Sequence, residues 1–291
     1  MAGGAIGSPV SARARTGWRT RFAPSPTGFL HLGHAFSALT ASGLAAPGQF
    51  LLRIEDIDTC RCKPEYEAAI HDDLRWLGLD WRMPVMRQSA RLAAYQRALD
   101  HLAGLGVTYP CSCTRGDIRA ALSAPQEGAP ILGPDGLVYP GTCRGRAMAS
   151  LGDGDVIRLD GARAFALLGG DSLSFHDHGP HLLARAAFLD GIGDVVLARK
   201  GMGTSYHLSV VVDDAAQGIS LIVRGMDLFE STWIHVLLQR LLDLPTPEYH
   251  HHRLIRDETG KRLAKRDDAR AIRQLRAEGA SPADIRRMLG L

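Results

Sequence analysis

A chain of 291 residues, 45% apolar and 22% charged, can bury a full core as one large domain or two modest ones. No window approaches eighteen uninterrupted apolar residues, so no membrane partner is expected. A net charge of +3 is too small to demand a nucleic-acid partner, and five cysteines without an export signal argue against a disulfide framework.

Residues 1–17, rich in Ala, Gly and Ser with Arg13 and Arg15, lack the apolar run of a secretory signal. They read as a flexible tail, and the cytoplasm is the expected location. Trp18 to Ala23 reads as a short strand that stops at Pro24 and Pro26, and Gly33 to Leu44 has the spacing of a helix. Gln49 to Ile54 is a compact apolar run, expected as a buried strand ending on Glu55. Pro64 to Leu77 and Ser89 to Leu105 read as amphipathic helices, the first with Ile70, Leu74 and Leu77 on one face. This alternation predicts an α/β fold with a parallel sheet.

From Tyr109 to about Gly179 glycine, proline and cysteine accumulate and periodicity weakens, which suggests an insertion. Tyr206 to Asp213 and Ser220 to Arg224 are rich in β-branched residues and are expected as central strands. Ser231 to Leu242 reads as a helix, followed by a basic loop at Asp257 to Asp268 and a short helical end.

Charge is unevenly placed. No Asp or Glu precedes Glu55, and His251 to Leu291 holds eleven Arg or Lys against six Asp or Glu. Basic ends suit a polyanion such as tRNA or ATP. The loop His31-Leu32-Gly33-His34 adds specific chemistry. A helix N-terminus offers backbone N–H groups and a positive dipole end, glycine admits a phosphate closely, and two imidazoles can donate to a nucleotide without permanent charge.

Arg21-Phe22-Ala23-Pro24-Ser25-Pro26-Thr27-Gly28 leading into His31-Leu32-Gly33-His34 resembles the first signature of class I aminoacyl-tRNA synthetases, in their glutamyl and glutaminyl branch. The resemblance continues through Leu52 to Asp58, Gly203 to Leu208, Val211 to Asp214 and Val223 to Leu228, and so covers roughly residues 19 to 268. It implies a Rossmann-type parallel sheet, in a first part at 18–108 and a second at 180–256. An inserted zinc-binding, acceptor-type subdomain would occupy 109–179, and a lysine loop with a helical tail 257–291. His31, Gly33, His34 and Lys265 would hold ATP and its Mg²⁺, with His31, His34 and Lys265 catalytic. Lys265 lies in Arg262-Leu263-Ala264-Lys265-Arg266, which matches the family's lysine-rich loop with Arg262 for the first lysine and Ala264 for the serine.

Glutamate carries two carboxylates and one ammonium, so its site needs arginines and one acid. By resemblance Arg21 and Arg224 would meet carboxylates, Glu55 the α-ammonium, and Tyr206 would donate its hydroxyl. Phe22, Ala23, Pro24 and Ser25 would complete the pocket. Cys111, Cys113, Tyr139 and Cys143 can offer three thiolates and a phenol oxygen, a possible tetrahedral shell; spacing alone leaves metal binding and free thiols both open. The pattern resembles the zinc insertion of short glutamyl-synthetase relatives, which implies one structural Zn²⁺. Cys60 and Cys62 are expected as free thiols, and His250-His251-His252 as a polar, nucleotide-facing segment.

Only about 23 residues follow Asp268, too few for an anticodon-reading helical domain. That shortness resembles the glutamyl-Q tRNA(Asp) synthetases, which transfer activated glutamate to queuosine in the anticodon loop of tRNA(Asp). The implied function is therefore a monomeric, ATP-dependent ligase acting on glutamate and queuosine-containing tRNA(Asp). The alternatives are a synthetase charging a tRNA 3′ end, another nucleotidyltransferase with the H-x-G-H loop, or a catalytically idle binding protein.

Overall fold

The computed structural model describes residues 17–122, 131–199, 201–255 and 270–291. The first half alternates β1 (Thr20–Phe22), α1 (Leu32–Leu44), β2 (Phe50–Ile54), α2 (Pro64–Trp76), β3 (Arg82–Arg87) and α3 (Leu92–Gly104). Strands β1, β2 and β3 form a parallel sheet in that order. Pro64 opens α2 at its first turn, where its missing N–H costs nothing, and Ile70, Leu74 and Leu77 are buried beneath it.

The middle of the chain is more regular than its sequence suggests. It runs β4 (Thr108–Cys111), α4 (Arg115–Leu122), β5 (Leu132–Gly133), β6 (Gly136–Leu137), β7 (Val156–Leu159), α5 (Gly161–Leu168), β8 (Ser172–His176), β9 (Pro180–Ala184), α6 (Arg185–Gly191) and β10 (Val196–Ala198). Strands β10, β7 and β4 make an antiparallel sheet, and β5–β6 and β8–β9 are hairpins.

The second half holds α7 (Tyr206–Ala216), β11 (Leu221–Gly225), α8 (Ser231–Leu241), β12 (Glu248–His252), α9 (Ile272–Ala277) and α10 (Pro282–Leu289). β11 and β12 pair in parallel. The Ser220 and Leu221 amides donate to the Arg19 carbonyl, and Arg21 reaches the Val223 carbonyl, so β11 runs beside β1 in the same direction. The parallel α/β architecture is thereby established. One expectation fails: Tyr206 to Asp213 is helix, not strand. Its N-cap Ser205 accepts from the Leu208 amide, and the helix is buried on nearly every side, from His207 and Leu208 to Asp213 and Asp214. A helix covered all round shows no amphipathic period, and its valines then mimic a strand.

Among the described residues, two large apolar cores flank the sheets, beside a small cluster of Tyr109, Cys111, Tyr139 and Cys143. One gathers Leu99, Phe165, Phe188, Leu208 and Ile234. The other gathers Leu52, Ile70 and Leu74 with Ile272, Ile285 and Leu289 of the last two helices. The chain's end thus packs on the first half, where the Ile272 amide donates to Leu30 beside the His31 loop.

Candidate active site

Ligands of open parallel sheets bind beyond the C-terminal ends of the strands. A cavity of about 820 Å³ lies there, past the ends of β1, β11 and β12. Arg21, Phe22, Ala23, Pro24, Ser25, His31, Gly33, His34, Glu55, Tyr206 and Arg224 all line it. Lys265, within 256–269, lies outside the described residues, as do residues 1–16.

At the start of α1, His31 and His34 close a reciprocal cap. The Gly33 amide donates to His31 Nδ1 at 3.1 Å and the His31 amide to His34 Nδ1 at 3.2 Å. The rings stack with centroids 3.8 Å apart. Because both Nδ1 atoms accept, Nε2 is the N–H donor of each neutral ring. A Cβ on Gly33 would lie 3.0 Å from His31 Cε1, so a larger residue here would press on the folded-back ring.

Arg21 is committed to an acid. Its Nε and Nη2 meet the two oxygens of Asp214 at 2.9 and 3.2 Å. Arg53 donates to the same carboxylate at 2.7 Å and to Glu55 Oε1 at 3.2 Å. Burial alone would raise the Asp214 carboxyl, but the two guanidinium groups bring it down to about 2. Burial pushes the Glu55 carboxyl up, against the pull of Arg53 and Arg21. The neighbouring Asp213 is fully buried and accepts from Gln88, Arg91 and Tyr95 at 3.0, 2.5 and 2.8 Å.

Among the described residues, Arg224 has no carboxylate in contact. It donates from Nε to His251 Nε2 at 3.0 Å, from Nη1 to His235 Nδ1 at 3.0 Å, and from Nη2 to Thr232 Oγ1 at 2.6 Å. Its guanidinium stands 5.3 Å over the Tyr249 ring. Burial, followed by the charge of Arg224, holds His235 well below its ordinary range, so it is neutral at pH 7. Three of the five guanidinium N–H groups are thus spent on neutral partners, and the positive charge remains for an anion.

The histidine run on β12 divides in three directions. His251 is turned inward to Asp177 (Nδ1 to Oδ2, 2.7 Å), His250 lies against His178, and His252 lines the cavity against Phe36. His252 Nε2 is buried and has no hydrogen-bond partner among the described residues. Asp214, Arg53, His207, His235 and Asp135 take part in the site without having been singled out from the sequence, whereas His251, expected to face the nucleotide, is turned to Asp177 and Arg224 instead. The only signal for Asp214 is its place in Val211-Val212-Asp213-Asp214.

Away from this cavity, Cys111, Cys113 and Cys143 bring their sulfurs within 4.8 Å of one another. The Tyr139 hydroxyl lies 3.3 Å from the sulfurs of both Cys111 and Cys113, and Arg158 stacks 3.9 Å over the Tyr139 ring. Cys113 and Cys143 sulfurs are 3.5 Å apart, close to the ~3.8 Å edge of a tetrahedron with Zn–S bonds of about 2.3 Å. Burial would raise the Cys143 thiol, but hydrogen bonds from Tyr139 and the Ser112 backbone hold it down to about 6. Three sulfurs this close can hold a metal ion. Cys60 and Cys62 stand apart from that cluster, and the Cys62 sulfur lies 4.0 Å from the Glu55 carbonyl.

The family described as tRNA synthetases class I (E and Q), catalytic domain, matches residues 18–129 and 182–291. The chain belongs to that family and is a ligase. Its close homologues are named glutamyl-Q tRNA(Asp) synthetase. That of Rhodobacter capsulatus is 58% identical over 94% of this chain and 99% of its own length, and that of Nocardia farcinica 40% identical over 92% and 82%. Among solved structures, a glutamate tRNA ligase from Elizabethkingia meningosepticum, in complex with its amino acid, superposes with a TM-score of 0.67 at 28% identity. That match covers 86% of this chain, which spans about half (52%) of the ligase. The methionyl-tRNA synthetase of Mycobacterium tuberculosis, at 9% identity and a TM-score of 0.56 over 93% of this chain and 63% of its own, shares the fold alone. No helix among the described residues is long and apolar enough to cross a membrane.

Proposed function

We propose that the chain activates glutamate with ATP–Mg²⁺ and transfers it to the queuosine base in the anticodon loop of tRNA(Asp). The observation that carries the amino-acid choice is Arg224, a buried guanidinium held by neutral groups, lining the same cavity as Glu55, whose Oε1 alone is engaged by Arg53. A cation with no carboxylate partner among the described residues favours the side-chain carboxylate of glutamate over the neutral amide of glutamine. Glu55 Oε2 receives the α-ammonium, and the Tyr206 hydroxyl donates to the substrate. Arg21 narrows this reading: its fork on Asp214 makes it a wall of the pocket, with any donation to a carboxylate limited to its remaining N–H groups.

The α-carboxylate of glutamate attacks the α-phosphate and pyrophosphate leaves, giving the glutamyl-adenylate. His31 and His34 donate to the nucleotide phosphates from Nε2 at the positive end of α1, where negative charge develops. Lys265 would follow the departing pyrophosphate. A hydroxyl of the queuosine base then attacks the acyl carbon and adenylate leaves. That acceptor rests on the name borne by the 58% identical relative. A monomer in the cytoplasm, where tRNA is found, goes with this reading.

The test is ATP–pyrophosphate exchange across an amino-acid panel, followed by transfer of labelled glutamate. Glutamate alone should stimulate exchange. Label should enter tRNA(Asp) carrying queuosine, with its 3′ adenosine removed, and no queuosine-free tRNA. Exchange driven by another amino acid would overturn the first step, and labelling of queuosine-free tRNA the second.

Cys111, Cys113, Tyr139 and Cys143 would hold one structural Zn²⁺, which crosslinks β4 to the loop before β7 and fixes the insertion's shape. Elemental analysis of untagged protein should find about one zinc per chain, and Cys111→Ser should lose it. Zinc-free protein in both samples sinks the assignment.

A further inference from the structure

Two directed chains of hydrogen bonds leave Arg224. A guanidinium has no acceptor, so His235 must accept at Nδ1 and His251 at Nε2. Each ring then carries its proton on the other nitrogen. His251 donates from Nδ1 to Asp177 Oδ2 at 2.7 Å, and that chain ends. His235 Nε2–H meets His207 Nδ1 at 3.1 Å. This puts the His207 proton on Nε2, which lies 3.8 Å from Asp135 Oδ1.

Asp135 sits in the turn between β5 and β6, far from the parallel strands in sequence, yet it lines the same cavity as His207 and Arg224. At 3.8 Å its contact with His207 is electrostatic rather than a direct hydrogen bond. Its carboxylate favours the His207 tautomer with the proton on Nε2. The opposite tautomer would aim two N–H groups at each other across the His207–His235 contact, and His235 could then no longer accept from Arg224 without turning.

We propose that Asp135 is a positioning residue for amino-acid recognition: through His207 and His235 it fixes the guanidinium of Arg224, so the β5–β6 hairpin sets glutamate affinity. The proposal rests on the reading that Arg224 meets the glutamate carboxylate. Burial would raise the Asp135 carboxyl, but the His207 contact and then the charge of Arg199 hold it below its ordinary value, and Arg199 takes no part in the chain.

The experiment is steady-state ATP–pyrophosphate exchange on the full-length protein with Asp135→Leu, Asp135→Asn, His207→Gln and His207→Phe. Asp135 is part-exposed in a turn, so its variants keep the fold. Losing one of three fixing contacts on Arg224 should raise the glutamate KM roughly tenfold in Asp135→Leu and His207→Phe. The ATP KM and kcat should stay within about twofold. Asparagine at 135 still presents an oxygen, and glutamine at 207 can accept and donate at once, so both should recover most of the affinity. An unchanged glutamate KM in Asp135→Leu, an equal rise for ATP, or equal behaviour of phenylalanine and glutamine at 207 overturns the proposal. Arg224→Ala separates the layers. If it abolishes glutamate affinity while Asp135→Leu does not, only the positioning role fails; if it leaves the glutamate KM unchanged, the reading of Arg224 fails with it.

Discussion

Arg21 and Arg224 stand on the neighbouring parallel strands β1 and β11 and line one cavity, yet they are held by opposite kinds of partner. Around Arg21 the neighbours are charged: Asp214 takes its fork, Arg53 shares that carboxylate, and Glu55 and Asp213 complete a set in which opposite charges alternate. Around Arg224 they are neutral: two imidazoles, a threonine hydroxyl and a tyrosine ring. A buried guanidinium clamped to a carboxylate has its charge compensated and contributes shape and stability. One clamped by acceptors without charge keeps an attraction for the next anion to arrive. The same residue type therefore serves as frame on one strand and as receptor on the next.

The sharpest way to break this contrast is to remove the acid on the Arg21 side. Asp214→Ala leaves Arg21 and Arg53 buried without their common partner and should cost about 3–5 kcal/mol of stability, read by denaturant unfolding. A loss below about 1 kcal/mol would show that the cluster is not the frame described. On the other side, Arg224→Lys keeps the charge but cannot reach His235, His251 and Thr232 together. Its effect should fall on binding: about 1.5–3 kcal/mol of glutamate affinity, a rise in KM of roughly 10- to 150-fold, with the melting temperature little changed. An equal loss of stability in the two variants would erase the distinction.

The contrast was half visible in the sequence. Arg21, Glu55 and Arg224 are carried by recognisable motifs, and β1, β2, α1 and α2 follow from periods and from proline placement. The histidine cage was not legible, because it converges from β12, α7, α8 and the loop after β8, and no local pattern marks His207, His235 or Asp177 as neighbours. Nor was α7 itself, whose Val210 and Val211 argue for a strand while burial on all sides erases the helical period. The antiparallel sheet β10–β7–β4 escaped for a different reason. Its strands are three or four residues long, too short for alternation to register, and other helices and hairpins intervene between them in sequence.

Acid titration separates the two sides without any mutation. Folding holds His235, His250, His251 and His252 below the ordinary imidazole value of 6.5, burial being the largest cause in each. A group with a lowered folded pKa stabilises above its unfolded pKa and loses that contribution as pH falls toward the folded one. The cage should therefore begin to weaken the protein below about pH 6.5. Asp214, lowered from 3.8 to about 2, keeps its full contribution down to roughly pH 4 and loses it only between there and pH 2. Glu55 acts with the opposite sign, since its raised carboxyl is relieved by protonation. Unfolding free energy measured from pH 8 to 3 should show an early decline that His235→Gln reduces, well before the acid cluster gives way. A flat profile from pH 7 to 4.5 would mean that the imidazoles are not held neutral.

The smallest change probes the ring under Arg224. Tyr249 accepts a hydrogen bond from Gln239 Nε2 at 3.1 Å and offers its face to the guanidinium, two roles that sit on different parts of one side chain. Tyr249→Phe keeps the face and removes the acceptor, leaving the buried Gln239 amide unsatisfied. Its cost should be about 1 kcal/mol of stability, at the low end for an orphaned buried donor, with the glutamate KM within twofold of the parent. Tyr249→Leu removes the face as well, and a guanidinium over an aliphatic side chain loses about 0.5–1 kcal/mol of attraction. If the leucine variant raises the glutamate KM and the phenylalanine variant does not, the receptor character of Arg224 depends on an uncharged cage including the aromatic face. If both raise it equally, the ring acts only by holding Gln239 and α8 in place, and the cage around Arg224 consists of His235, His251 and Thr232 alone.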